Sequence, residues 1–523
     1  MRTRREFVKT ASTALGAATL APWILEREAA AAAEVDAARS MLADEALATA
    51  KRLGASYADI RINRYRSEAI TTRERQVQNV ARNQDFGFGV RVLVNGTWGF
   101  AASSTVTAAE VRRVTQVAID IARANAMFQR KRVALAPVER AVANWKSAFE
   151  KDPFDVPLDD KIQFLLALNA TALATTGVSF VNSSMRWINE QRFLATSDGS
   201  RIEQYLIRGE PQFTVTAVNR ESNDFQTRRS LGGPQARGYE YVENYPWQAE
   251  AKQAAEEAVA KLKAKPVEPG RYDLVIHPSN LWLTIHESAG HSTELDRALW
   301  WEADYAGTSF LTPDKTGKLR FGSPLVNIVG DRLQPTALAT VAYDDDGVPA
   351  QRWYLVKDGM FVDWQTTREL APLAGRKKSY GCCNADNWGS VPFQRMPNVS
   401  LEPGAQDTSL DQLVSGVDKG ILVYGDGSWS IDQQRYNFQF GGQTFFEISN
   451  GKIAGMLRDV AYQSRTTDFW GACDGLGGRR TYELHGAFND GKGEPGQVGV
   501  VSHGAPVARF RQINVLNTSV SMT

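Results

Sequence analysis

The segment from Pro278 to His291 constrains this chain more than any other stretch. An apolar run, Leu281-Trp282-Leu283-Thr284-Ile285, follows Pro278 and Ser279, which are well placed to start a helix. The run leads directly into His286-Glu287-Ser288-Ala289-Gly290-His291. The chain has five histidines in 523 residues, so two in one six-residue string stand out. Two imidazoles and a carboxylate on one short helix are what a hydrolytic zinc site needs. Neutral rings hold the metal, and the carboxylate takes a proton from water. The usual spacing, His-Glu-x-x-His, puts the rings one turn apart. Here the gap is one residue longer. At about 100° per residue, positions i and i+5 lie roughly 140° apart on an ideal α-helix. Convergence on one ion then requires a π-type turn or a helix end, and Gly290 makes such a distortion cheaper. These residues alone leave a second reading open: two unrelated histidines, one capping the helix and one in the core.

Around this string the chain reads as α+β, with antiparallel sheets flanked by helices. Arg39 to Leu53 has helical apolar spacing. Tyr57 to Tyr65 alternates, with Ile60 and Ile62 on one face, and Phe86 to Val94 alternates again. Asn95-Gly96 is a hairpin turn into Thr97 to Ala101. Thr107 and Glu110 form a capping box before a helix over Ala108 to Ala126. Arg130 to Val156 reads as a linker, Asp159 to Ala174 as a helix, and Val178 to Val218 as strands. Helix Trp247 to Lys263 ends near Pro266 and Pro269, which mark a boundary between two halves. A buried-type strand, Tyr272 to Ile276, opens the second half. Beyond residue 320 short strands and Gly-rich turns dominate. The expected division is 1–33, 34–266 and 267–523.

Residues 1–33 read as an address. Arg4-Arg5 precede a weakly apolar run, Ala11 to Leu25, too short for the roughly 20 residues of a membrane span. The alanine tract Ala29 to Ala33 offers a cleavage site. This resembles a twin-arginine export signal, so a periplasmic or secreted product without stable membrane insertion is expected. The formal charge of +1 argues against a strongly basic nucleic-acid binder. The first 33 residues hold five basic and three acidic side chains, so their removal leaves −1. Three cysteines cannot make a disulfide framework or a four-cysteine zinc site.

His286-Glu-x-x-x-His291 after an apolar run resembles the TldD side of the TldD/PmbA metallopeptidases. Phe86-Gly-Phe-Gly-Val-Arg-Val with Asn95-Gly-Thr-Trp-Gly-Phe100 is similar to that family's N-terminal sheet. Asp345-Asp-Gly347, Arg395-Met-Pro-Asn398 and Glu402-Pro-Gly404 fall where its second half has similar turns. Gly491-Lys-Gly-Glu-Pro-Gly-Gln497 and Ser502-His-Gly-Ala-Pro506 resemble its closing motif. The resemblance implies a two-domain zinc metallopeptidase acting on unfolded or small peptides. It implies one zinc held by His286, His291 and a third ligand late in the chain, with Glu287 activating the water that attacks a peptide carbonyl. It also implies pairing, as a homodimer or with a PmbA/TldE-type paralogue. An extended peptide would be held along a sheet edge.

One position departs from the family. Its third ligand is usually a cysteine before Gly-Lys in the closing motif, and here that place is Asp490. A carboxylate with two histidines is a sound catalytic set. It also suits an oxidising compartment, where a lone thiolate is vulnerable. Asp490 as a plain turn residue is the other reading, with His503 and Cys473, both read as lying in Gly-rich loops, as fallback ligands. His485 reads as an exposed loop residue and His277 as the end of a strand. Cys382-Cys383 read as buried or oxidised thiols, Asp344-Asp345-Asp346-Gly347 as a hairpin turn, and Trp300-Trp301 as core or as channel lining. The rival class is non-catalytic: an exported binding or assembly subunit of the same family with a degenerate metal site.

Overall fold

In the computed structural model, residues 38–519 are described. The export signal read over 1–33 lies outside them. A helix over 38–52 packs against a seven-stranded sheet. The strands are β1 (Tyr57–Arg73), β2 (Gln76–Val94), β3 (Thr97–Ser103), β4 (Val142–Lys146), β5 (Val178–Thr196), β6 (Arg201–Asn219) and β7 (Asp224–Arg229). Their order is β3-β2-β1-β5-β6-β4, with β7 also on β6. Helices α1 (Ala108–Asn125), α2 (Leu158–Leu173) and α3 (Trp247–Lys261) cover its apolar face in two clusters.

Several local expectations hold. Asn95 and Gly96 both take positive φ, 55° and 78°, and close the β2–β3 hairpin. The Glu110 N–H donates to Thr107 Oγ1 at 3.3 Å. The capping box is not reciprocal, because the Glu110 carboxylate pairs with Arg113 instead. The expected linker holds a strand, β4, parallel to β6.

The alternation in β1 means something other than one wet face. Residues from Tyr57 to Asn63 are buried on both sides. Ile60 and Ile62 face the helices, while Arg61 meets the second half of the chain directly and Asp59 does so through Arg91. Arg91 on β2 joins Asp59 at 2.8 Å to Asp346 at 2.7 Å, and Arg61 lies 3.6 Å from Asp345. The polar face is therefore covered by partners far away in sequence. The triple-aspartate stretch is a turn, as expected, but a buried one.

The second half begins with β8 (Lys265–Pro266), β9 (Gly270–Ile276) and helix α4 (Pro278–Ile285). A small antiparallel sheet follows, built from β10 (Ile328–Asp331), β11 (Arg352–Lys357), β12 (Met360–Phe361) and β13 (Asn398–Leu401). Then come β14 (Lys419–Ile431), β15 (Asn437–Ser449), β16 (Lys452–Arg458), β17 (Val460–Arg465), β18 (Cys473–Leu476), β19 (Glu483–Lys492), β20 (Gln497–Ala505) and β21 (Ala508–Asn517). The large sheet runs β14-β9-β21-β17-β15-β16-β8, with β18 on β21. The larger core, including Leu274, Leu281, Ile285, Phe469 and Phe510, lies between this sheet, α4 and the small sheet, and a smaller cluster holds Val275, Leu413, Leu422, Ile448 and Val507. The hairpin β19–β20 stands apart from the large sheet. Among the described residues, no helix is long and apolar enough to cross a membrane.

Candidate metal centre

His277 leaves β9 and caps α4, its Nδ1 accepting from the Ser279 N–H at 3.3 Å. Asn280 pins the first turn by donating to the Gly425 and Gly441 carbonyls, each at 2.8 Å. After Ile285 the helix widens into a π-turn over His286–Gly290. The His291 N–H donates to the His286 carbonyl five residues back, which brings the two rings to one face, 4.4 Å apart between centroids. Trp470 Nε1 donates to Ser288 Oγ at 2.9 Å, and Gln365 Nε2 donates to the Gly290 carbonyl at 2.6 Å. Gly290 itself is at φ −58° and ψ −64°, which any residue adopts. Its role is space rather than freedom: a Cβ there would sit 2.6 Å from Met396 Sδ.

His286, Glu287 and His291 offer ligand atoms that all lie within 4.8 Å of one another. Asp490 comes to the same place from β19. A bulge between Ala487 and Asp490 re-aims its side chain. Asp490 Oδ1 lies 3.8 Å from His286 Nε2 and 3.6 Å from His291 Nε2. Arg395 holds the other oxygen at 3.2 Å and also donates to the Asp490 carbonyl. Gly499, opposite Asp490, leaves the room this needs, since a Cβ there would lie 2.5 Å from the Arg395 guanidinium.

The far side of each ring fixes its tautomer. His503 Nδ1 lies 2.7 Å from the Val399 carbonyl, which accepts only, so that nitrogen carries the proton. In the neutral ring its Nε2 is then an acceptor, and His286 Nδ1, 2.9 Å away, must donate to it. His291 Nδ1 likewise donates to Glu294 Oε2 at 2.9 Å. Both Nε2 lone pairs are thereby turned toward Asp490, the arrangement a metal requires of its histidines. Glu294 is fully buried and is held in turn by Arg297 at 2.5 Å and Lys492 at 2.9 Å.

Burial sets the charge states. It drives His286 down to about 3, helped by Arg435, Arg297 and Arg395. His291 and His503 are pushed well below the ordinary imidazole value, again first by burial. All three rings are neutral at pH 7. Burial, with Asp490 adding, raises the Glu287 carboxyl despite the opposing Arg435 and Arg297. Arg435, at φ +64°, holds Glu287 Oε2 at 2.5 Å. Burial also pushes Glu294 upward, but Lys492 and Arg297 more than reverse it, so it stays ionised.

The site opens into a cavity of about 860 Å³. α4, the π-turn and the β19 segment from His485 to Gly491 form one side. Arg186, Glu210, Gln212 and the stretch from Arg229 to Pro234, from the first half, form the other. His503 is not in a loop but in β20, engaged at both nitrogens behind His286. Cys473 is in β18, buried, and does not line the cavity. His485 is buried in β19 and pairs with Glu483 at 3.0 Å, rather than exposed. The three cysteines are free and buried. Trp300 and Trp301 are 68% and 50% exposed and do not line the cavity. Sequence reasoning missed Glu294, Arg395 and Arg435. Of these only Glu294, one helical turn past His291, carried a local signal.

Three family profiles match the chain: PmbA/TldA metallopeptidase domain 1 over 58–122, the central domain over 151–264 and the C-terminal domain over 269–517. A metalloprotease of Methanothermobacter thermautotrophicus is 29% identical over 473 residues, 88% of this chain and 96% of that protein. A metalloprotease of Methanocaldococcus jannaschii is 25% identical over 446 residues, covering 84% and 93%. A zinc metalloprotease TldD homologue of Saccharolobus solfataricus is 22% identical over 485 residues, covering 89% and 98%. The fold matches a Thermotoga maritima protein solved as a candidate modulator of a DNA gyrase. Its TM-score is 0.71 at 16% identity, over 90% of this chain and 99% of that one. TldE of Thermococcus kodakarensis gives 0.69 at 15% identity, over 89% and 98%.

Proposed function

The chain belongs to the PmbA/TldA (TldD/PmbA) metallopeptidase family, and from that premise we propose that it is a zinc-dependent peptidase of the TldD type. The supporting observation is the convergence of His286 Nε2, His291 Nε2 and Asp490 Oδ1 beside Glu287 at one end of the cavity. These donors fit zinc: two neutral imidazoles with fixed tautomers and one carboxylate. When bound, zinc supplies Lewis-acid polarisation at the reacting carbonyl and water. The protein's own groups do the rest. Asp490, anchored by Arg395, would supply the carboxylate ligand. Glu287, made more basic by burial, accepts the proton and passes it to the leaving amine. Arg435 keeps the Glu287 carboxylate in one orientation.

The substrate proposed is an extended peptide. Among the described residues β19 pairs only with β20, so its other edge borders the cavity and offers main-chain groups to a strand. Export by the twin-arginine route and action with a second copy or a TldE-type paralogue belong to the same proposal. They rest on Arg4-Arg5 and on family membership. The test is hydrolysis of unfolded peptides by wild type and Glu287→Gln, with a co-expressed paralogue. Activity in the wild type alone, at equal zinc content, supports the peptidase. Equal behaviour of the two supports the non-catalytic subunit. Cell fractionation of an Arg4→Lys/Arg5→Lys variant tests export.

A further inference from the structure

Behind Asp490 lies a second, much smaller cavity of about 20 Å³, enclosed by Arg192, Arg208, Arg332, Arg395, Asn384 and Asp490 among others. The four arginines are 9%, 2%, 2% and 4% exposed. Glu190 is shared by Arg192 and Arg208, and Asp490 is held by Arg395. Asp345 also acts on Arg192 and Asp344 on Arg332 from farther away, but among the described residues no carboxylate forms an ion pair with Arg332.

Arg332 is the unmatched one. Its Nε and Nη1 are buried and have no acceptor among the described residues, and Arg395 Nε is in the same condition. The carboxylate whose charge couples to Arg332 is Asp344, but its oxygens accept from the Asp346, Val348 and Cys383 N–H groups. Burial, with Asp346 beside it, raises the Asp344 carboxyl, and its oxygens are taken up by those three backbone N–H groups rather than by Arg332. A buried arginine cannot shed its proton to escape the cost of burial. An uncompensated buried charge is among the most expensive features a fold can hold. A water molecule can fill the space but cannot balance the charge.

We propose that this cavity is a binding site for one monovalent anion of chloride size, held by the Arg332 guanidinium together with Arg192, Arg208 and Arg395. The volume admits a single small occupant. Phosphate and sulfate are too large for that volume. Burial first, then the neighbouring Arg192 and Arg332, pull Arg208 below its ordinary range despite Glu190. Arg395 belongs both to this cavity and to the Asp490 anchor, so the anion sits one side chain from the metal centre. The inference does not depend on the peptidase reading, since its test reads no activity.

The test uses the full purified chain at fixed pH and constant ionic strength, with sodium chloride replaced stepwise by sodium gluconate. The thermal midpoint is expected to rise by a few degrees with chloride and to lose most of that dependence in Arg332→Gln. Crystals of the wild type grown or soaked in bromide are expected to show an anomalous peak at hydrogen-bond distance from Arg332, which keeps the test open even if the variant does not fold. Identical midpoints in chloride and gluconate, or a water in place of bromide among the four arginines, overturns the proposal.

Discussion

The two ends of the His503 ring do different work, and two substitutions separate them. Nδ1 donates to the Val399 carbonyl, while Nε2 accepts from His286. An asparagine reproduces the Nδ1 end of an imidazole and a glutamine the Nε2 end. His503→Asn keeps the Val399 contact and leaves the buried His286 Nδ1–H without an acceptor. His503→Gln keeps an oxygen near His286 and abandons Val399. Each change orphans one buried polar group, so both variants are expected to lose about 1–3 kcal/mol of stability. Only the asparagine variant releases the His286 tautomer. Its zinc affinity is expected to fall about 10–100-fold, the usual loss when a histidine ligand loses its outer partner. The glutamine variant should stay within a few-fold of wild type. Competition against a chromophoric chelator gives the affinities, and urea unfolding gives the stabilities. Equal zinc affinity in the two variants refutes the tautomer argument. Complete loss of zinc in both makes His503 a ligand rather than an orienting group.

Further predictions follow from other contacts. Gly499→Ala places a methyl group 2.5 Å from the Arg395 guanidinium; the displaced Arg395 should weaken zinc binding and cost about 1–3 kcal/mol in thermal or urea unfolding. Glu287→Gln should retain zinc while peptide hydrolysis falls about 10²–10⁴-fold, measured at saturating peptide. Burial lowers His277 from 6.5 to about 4, with Glu483 opposing. The unfolded chain therefore binds the extra proton between those values, and stability is lost as pH falls from 6.5 to 4. The full loss is about 3 kcal/mol. His277→Asn keeps an acceptor for the Ser279 N–H, so its urea midpoint should fall less steeply with pH than that of wild type; equal slopes contradict this.

What could be read in advance divides along chain distance. Two histidines five apart pointed to a π-type turn or a helix end, if both face one ion, and Asn95-Gly96 pointed to the N-terminal hairpin; both signals are local. Gly290 was read as easing the distortion, whereas its backbone is ordinary and the space it leaves is taken by Met396, far along the chain. The same distance hid Arg395, Arg435 and the orienting role of His503, each of which acts across a tertiary contact. β1 misleads for a related reason. Its polar positions look solvated in isolation, yet Asp59 and Arg61 are buried against Arg91, Asp345 and Asn387. Asp490 was reached only through the family resemblance, because nothing local to Asn489-Asp490-Gly491 separates a ligand from a turn.

The central claim is that the metal is held by His286, His291 and Asp490. The most direct measurement is zinc content, determined by elemental analysis on purified wild type, Asp490→Ala and Cys473→Ser. The account predicts one zinc per chain in the wild type and the cysteine variant, and little or none in Asp490→Ala. Unchanged zinc in Asp490→Ala, or zinc lost with Cys473, contradicts it.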